Sequence, residues 1–335
     1  MSTALPHTVL PDPRVSPRFA GVCTFCRYPM LAEVQPANRP IDWVLYGVPF
    51  DTGVTFRPGA RFGPRAVREA SQYVKRFHMG HGVDVCNVLS LADAGDAPVK
   101  PYDIKGTLDG VAAWASAMDS NNAKLFAVGG DHSIAYANIR ATWERMGRPA
   151  GGLALVHFDS HLDTVDAVWG EKWGHASPFR RAIEDGLIDA NAMVSVGIKG
   201  PLNTADDLAF AKDHGVTIIQ RDRIGQDGEL ELRQFSAKLG ARPAYITFDV
   251  DVVDPAFAPG TGTPCPGGIT TSEAFALLRS LKGINVVGAD VVEVLPDRDV
   301  SGITAFFAAH VLFEILALDA ATRGSNPQSP ITGNG

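Results

Sequence analysis

The chain has 335 residues, 45% of them hydrophobic and 20% charged, with glycine and proline spread throughout, which fits a globular protein and excludes a largely disordered or fibrous one. Its net charge of −7 excludes the basic footprint expected of a nucleic-acid partner. No apolar run approaches the ~20 residues of a membrane span, and the opening MSTALPHTVLPDPR lacks the basic-then-apolar order of a secretory signal, so no membrane partner and a cytoplasmic location are expected.

Cys23, Cys26, Cys86 and Cys265 are too few and too scattered for a disulfide scaffold, and Cys23-x-x-Cys26, without a second pair, reads as packing rather than zinc or redox chemistry. No repeat or composition break marks a linker. The expected organisation is one domain over 18–320 between flexible ends at 1–17 and 321–335, both polar and containing proline.

In chain order, short β-branched or apolar runs predict strands at 43–48, 124–129, 153–158, 192–197, 216–219, 244–248 and 284–292. Helical patterns are expected near 64–77, 104–119, 133–146, 177–186, 204–214, 229–239, 271–281 and 301–319. Pro64 after Gly63 is pre-set to open a helix. Thr204 caps another, with Asp206 and Asp207 in its first turn and Gly215 as its stop, and Thr270-x-x-Glu273 is a capping box closed by Gly283. Strands alternating with helices are how an α/β fold on a parallel sheet is written.

Ligands of such sheets bind beyond the carboxyl ends of the strands. Three predicted strands run directly into acids and imidazoles: Asp131-His132 after 124–129, Asp159-x-His161-x-Asp163 after 153–158, and Asp249-x-Asp251 after 244–248. Residues two apart in extended chain share a face, so these side chains are expected to converge. Alone, D-x-D and D-x-H-x-D are ordinary turn chemistry; three such clusters at strand ends are not. Like charges ~4 Å apart repel by ~4 kcal/mol at an effective dielectric of ~20, so the carboxylates need protons or cations. Two imidazoles and four carboxylates suit a pair of divalent ions. An oxygen-rich set favours Mn²⁺ over Zn²⁺, with Ni²⁺, Fe²⁺ or Co²⁺ also fitting. Two metals ~3.5–4 Å apart acidify a bridging water, which points to hydrolysis.

The runs GGDHS (129–133), HFDSHLDT (157–164) and FDVDVVDPAFAPGTGTPCPGG (248–268) resemble the three signatures of the ureohydrolase family, which includes arginase, agmatinase and guanidinobutyrase. VPFDTGVTFRPGARFGPRAVREAS (48–71), RFAGVCTFCR (18–27) and DVVEV (290–294) are similar to its agmatinase branch. The resemblance implies an arginase-like three-layer αβα sandwich on a mainly parallel sheet of about eight strands. It also implies a dinuclear Mn²⁺ centre, urea release from a small cationic guanidino substrate, and a trimer or hexamer, alone or with a paralogous chain. It makes His132, Asp159, His161, Asp163, Asp249 and Asp251 the metal ligands. His175 of GHASPF matches the proton shuttle to the leaving amine, which needs a near-neutral group; Glu293 matches the carboxylate that holds the guanidinium. Asp163 is expected to hold the proton of the attacking hydroxide. Asp131 reads as loop or ligand support, His157 as support or core, and Arg57, Arg61, Arg65 and Arg68 as structural.

Four features depart from the family pattern. Ser160 stands where alanine is common and Ala176 where glycine is usual; Cys265 occupies a variable position often held by glutamate, and LPDRD (295–299) is unusual. Trp169 and Trp173 either wall the pocket, stacking on a guanidinium, or pack their loop. Agmatine, guanidinobutyrate, guanidinopropionate, guanidine and an alkylated biguanide remain substrates to weigh, with the departures favouring a small or alkylated guanidine. A non-catalytic partner subunit and a deacetylase-type metal hydrolase are the readings from other classes.

Overall fold

Side chains branched or bulky at Cβ fit a pleated surface and supply most of the central strands. In the computed structural model, which describes residues 7–119 and 121–324, these are β1 (Trp43–Val48), β2 (Phe77–His78), β3 (Val83–Asp84), β4 (Leu91–Asp96), β5 (Lys124–Gly129), β6 (Leu153–Phe158), β7 (Ile188–Ile198), β8 (Thr217–Gln220), β9 (Pro243–Asp249) and β10 (Asn285–Val292). β2 and β3 form a small antiparallel ribbon; the others form one parallel eight-stranded sheet in the order β4-β1-β5-β10-β9-β6-β7-β8. β1, β5 and β6 coincide with their predicted spans. β4, of sequence LADAGD, was not expected: its small and acidic residues carry no strand signal, and it forms by adding to the free edge of β1.

The helices are α1 (Gly63–Ser71), α2 (Val85–Val88), α3 (Ile104–Ala117), α4 (Ile134–Arg145), α5 (Pro178–Glu184), α6 (Ala209–Asp213), α7 (Gly228–Leu239), α8 (Thr271–Ser280) and α9 (Ile303–Gly324). One face of the sheet packs on α1, α7, α8 and α9 through Val67, Leu232, Leu277 and Leu312. The other packs on α3, α4 and α5 through Val111, Ile139 and Phe179. The chain is therefore a three-layer αβα sandwich. Strands covered on both faces read as unbroken apolar runs, which is why β1 and β6 are buried at every position.

Both expected capping boxes form. Thr270 Oγ1 accepts from Glu273 N–H at 3.1 Å while a Glu273 carboxylate oxygen accepts from Thr270 N–H at 2.7 Å. At Thr204 the box opens a 3₁₀ turn, Ala205–Leu208, that precedes α6. α1 stops at Ser71, six residues short of its expected end.

α9 corrects two expectations. It continues to Gly324, so residues 321–324, expected in the flexible tail, are helical; residues 325–335 lie outside the described residues. Ile303–Arg323 is also long and apolar enough for a membrane span, with mean hydropathy 1.7, but 83% of that apolar stretch is buried inside the protein, where a core helix belongs. At the other end Thr8 is anchored within the segment expected to be flexible, its Oγ1 donating to Leu89 O at 2.6 Å; residues 1–6 lie outside the described residues.

Glu314 of α9 ties this face together. Its two oxygens accept from His78 Nε2 at 2.9 Å, His81 Nε2 at 2.8 Å, and Arg279 Nε and Nη2, each at 2.9 Å. His78 Nδ1 accepts from His81 N–H at 3.1 Å, so its proton sits on Nε2, and the cluster is a hydrogen-bonded clasp among α8, α9 and the β2-β3 ribbon. Glu314→Ala strands these donors and is expected to cost on the order of 3 kcal/mol, read as a lower urea midpoint at unchanged slope; an unchanged midpoint refutes the clasp.

Candidate metal centre and active site

The sheet order sets four carboxyl ends side by side: β5, β10, β9 and β6. β5 leads to His132, β10 to Glu293, β9 to Asp249 and Asp251, and β6 to Asp159, His161 and Asp163. The turn after β5 needs a glycine at position 130, because a Cβ there would lie 2.3 Å from Phe50 O and 2.6 Å from Val48 O.

The six residues expected to bind metal meet here. His132 Nδ1 faces Asp159 Oδ2 at 3.0 Å, Asp163 Oδ2 at 2.9 Å and Asp249 Oδ2 at 3.4 Å. It is buried, yet no partner satisfies it in hydrogen-bonding geometry. On the other side of Asp159, His161 Nδ1 lies 3.3 Å from Asp159 Oδ1 and 3.1 Å from Asp251 Oδ2. Asp159 thus offers one oxygen to each of two groups, His132–His157–Asp159–Asp163 and Asp159–His161–Asp251. A ring nitrogen with no hydrogen-bond partner, among carboxylates, and a carboxylate shared between two groups fit a pair of divalent cations.

Charge supports that fit. Burial, with Asp251 and Asp159 close by, holds the Asp249 carboxyl well above the ordinary range, and burial beside Asp159 raises Asp251. Burial also opposes ionisation of Asp159, but His132, His157 and His161 outweigh it and hold its carboxyl well below the ordinary range. Burial works against charge on His132, yet the carboxylates facing it favour a proton there. Protons and cations compete for the same atoms.

Around this set lie supports, of which Thr247, Asp290 and Ser195 were not revealed by spacing, while His157 and Asp131 were expected as such. His132 Nε2 contacts Thr247 Oγ1 at 2.8 Å; Thr247 donates to Asp290 Oδ1 at 2.6 Å, and Tyr245 OH donates to Asp290 Oδ2 at 2.6 Å. Thr247 and Asp290 sit inside β9 and β10, where period two aims them at the same side as Asp249, the one signal that pointed to them. His157 Nε2 holds Asp159 Oδ2 at 2.9 Å and its Nδ1 meets Ser195 Oγ at 3.0 Å, which orients Asp159. Asp131 stays off the cluster. Its Oδ2 accepts from Gly53 N–H at 2.8 Å and its Oδ1 from Ser133, tying two loops together.

Glu293 and His175 are in contact. His175 Nδ1 lies 2.8 Å from Glu293 Oε1, which also accepts from His132 N–H at 2.9 Å, while Glu293 Oε2 is buried without a partner. His175 Nε2 accepts from Thr55 N–H at 2.9 Å and meets Thr55 Oγ1 at 2.8 Å. Burial favours a neutral His175, but Glu293 outweighs it and pushes the ring up to about 9. Asp163 and Glu293 both have positive φ, 51° and 64°, a left-handed conformation that costs side-chain-bearing residues about 1 kcal/mol or more and that clusters at functional sites.

A cavity of about 160 Å³ opens beside the cluster, walled by Leu162, Val165, Ile198, Pro201 and Leu202 and floored by His161, Asp163, His175 and Asp249. Ser160 and Ala176 also line it. The tryptophans do not: Trp169 is exposed, and Trp173 packs edge-on against Tyr136. Arg61 pairs with Asp51, and Arg68 with Asp93 at 3.0 Å, as structural residues. Cys23 and Cys26 are free thiols, that of buried Cys26 pushed up to about 12 by burial.

Residues 41–318 match the model of the arginase family. The chain belongs to that family. It is 43% identical to the guanidinopropionase of Pseudomonas aeruginosa over 90% of this chain and 93% of that one. It is 41% identical to the proclavaminate amidinohydrolase of Streptomyces clavuligerus over 91% and 95%. The structure of the Streptomyces enzyme superposes with a TM-score of 0.84 at 39% identity, covering 92% of this chain and all of the other. This arginase-family chain is a hydrolase acting on C–N bonds of guanidino compounds, in a family that depends on a dinuclear metal centre, which sets aside the deacetylase-type reading.

An NMR titration of the metal-free protein should find His175 changing charge near pH 9, protonated below and neutral above, and Glu293→Gln, which removes the main opponent of burial, should lower it. A His175 pKa unmoved by that substitution contradicts the assigned contact.

Proposed function

We propose that the chain hydrolyses a small or alkylated guanidine to urea and an amine, using two divalent ions, Mn²⁺ first and Ni²⁺ second. His132, Asp159, Asp163 and Asp249 hold one ion, and Asp159, His161 and Asp251 the other. The observation that carries this reading is the Asp159 carboxylate shared between the two ligand groups, next to the partnerless Glu293 oxygen.

Ions bound there would acidify a water for attack on the guanidinium carbon. The Glu293 Oε2 atom accepts an N–H of the planar cation and fixes its orientation. Asp163, at the cavity floor, holds the remaining proton of the attacking oxygen. His175, oriented through Nδ1 by Glu293, passes the proton of Nε2 to the nitrogen whose bond to carbon breaks, and the freed Nε2 then accepts the Thr55 N–H, so the amine leaves neutral and urea remains.

Substrate size and polarity follow from the walls. Among the described residues no lysine or arginine lines the cavity, and Lys199 at its edge is engaged by Ser160 Oγ and Asp251 O, so a carboxylate-tailed guanidine finds no unengaged counter-ion. The one carboxylate apart from the cluster, Asp207, gives its Oδ2 to the N–H of Asn203 at 2.6 Å and of Thr204 at 3.3 Å, so an amine tail meets an acceptor already half engaged in the turn before α6. Exposed Phe19, Tyr73 and Phe306 around one surface cavity support assembly as a trimer or hexamer, alone or with a paralogous chain.

Asp159→Ala and Asp249→Ala should each abolish urea release, leave the far-ultraviolet circular dichroism unchanged, and lower the two ions per subunit that elemental analysis is expected to find in the parent. Turnover retained by either variant contradicts the ligand assignment. Across agmatine, 4-guanidinobutyrate, 3-guanidinopropionate, arginine, guanidine and dimethylbiguanide, kcat/KM should be highest for guanidine or the alkylated compound; agmatine or guanidinopropionate as the best substrate refutes the reading of the walls.

A further inference from the structure

The two ligand histidines have different neighbours on their far sides. His132 Nε2 reaches a hydroxyl backed by the buried carboxylate of Asp290. His161 Nε2 meets the sulfur of Cys265 at 3.6 Å. That thiol is buried, and its own donor contact is to Thr263 O, also 3.6 Å away. Thr263 Oγ1 in turn donates to Asp251 Oδ2 at 3.1 Å, so one short segment touches two members of the Asp159–His161–Asp251 group. Gly200 closes the ring's other edge: a Cβ there would lie 2.5 Å from His161 Cδ2 and 2.9 Å from Nε2.

A ring that offers Nδ1 to a cation carries its proton on Nε2, and the partner of that N–H fixes the tautomer, orients the ring and sets how strongly it donates to metal. A carboxylate behind the N–H strengthens the ligand, whereas sulfur is a weak acceptor. The Cys265 contact is therefore enough to orient His161 and too weak to raise its donor strength as the Thr247–Asp290 chain does for His132.

We propose that Cys265 is a positioning residue of the metal centre: its sulfur accepts the Nε2–H of His161, with Gly200 clamping the ring, and this makes the Asp159–His161–Asp251 position the weaker of the two. The inference rests on the ligand assignment above. It predicts stepwise loading, with the His132 side filling first, and it places the control of the second ion in a residue that touches neither ion nor substrate.

The test is titration of the metal-free full-length chain with Mn²⁺ against a competing chelator, with Co²⁺ absorption as a second readout. The parent should bind two ions with unequal dissociation constants. Cys265→Ala should weaken only the second step, by about 10- to 100-fold, and alter the Co²⁺ spectrum of that step alone. Cys265→Ser, which keeps an acceptor, should recover most of the loss. Gly200→Ala should weaken the same step. Thermal unfolding of the metal-free forms identifies a variant that is merely unfolded, and the serine variant then carries the comparison. Two ions bound by Cys265→Ala as in the parent overturn the inference and leave the ligand assignment standing. A parent that binds no ion overturns both.

Discussion

Crowded negative charge at the end of a buried sheet is the constraint on which the rest of the molecule depends. Asp159, Asp163, Asp249 and Asp251 are buried within contact of two imidazoles, with Asp131, Asp290 and Glu293 buried close behind. At ~4 Å and an effective dielectric of ~20, each like-charged pair costs ~4 kcal/mol, more than the surrounding hydrogen bonds return. Such a set persists only because the sheet holds its members on adjacent strands, each packed by helices on both faces. The opposed directions of the carboxyl shifts, Asp159 pushed down and Asp249 and Asp251 pushed up, express the same crowding. The cluster shares protons when it has nothing better, and divalent cations are better.

The supporting contacts divide the work of holding it. His157 and Ser195 turn Asp159, Thr247 and Asp290 turn His132, and Asp131 ties the loop after β5 to the loop after β1. Ser160, a departure from the family pattern, donates to Asp251 O at 2.7 Å and accepts from Lys199 Nζ. That hydroxyl ties the β6 and β9 loops together and brings a cation to the edge of a carboxylate-rich site. It therefore acts on the position of Asp251 as well as on the cavity it lines.

Much of this was legible before any coordinates. The strands at 43–48, 124–129 and 153–158 stand where their β-branched runs put them, and the six proposed ligands were visible because strand ends carry chemistry in parallel sheets. His175 and Glu293 came from family resemblance, since one histidine in a loop and one glutamate after a strand have no pattern of their own. Thr247, Asp290 and Thr55 were missed because their roles arise from contacts 43 to 120 residues apart in sequence, which periodicity does not encode. β4 was missed for a different reason: it is a strand because β1 has a free edge, whatever its own propensity. The tryptophans, plausible by position, stay off the cavity, Trp169 exposed and Trp173 packed on Tyr136.

Reaction and specificity accordingly belong to different parts of the fold. The proposed ligands emerge from strand ends whose backbone is fixed by neighbours on both sides, and a shift in any one disturbs the shared Asp159 carboxylate. The cavity walls come from 162–165, after β6, and from Ile198 at the end of β7 and 200–203 beyond it, where a changed side chain disturbs fewer partners. Relatives named for guanidinopropionate and proclavaminate differ from this chain at more than half of the aligned positions, and the structure of the second superposes on its fold. Such divergence is tolerable where the fold keeps its carboxylate cluster and leaves the loops around it free to follow the substrate. Gly200 is where the two parts meet: it lines the cavity and packs against His161, so a side chain added there to narrow the pocket would press on a proposed ligand. The substrate wall is free to vary only up to that point.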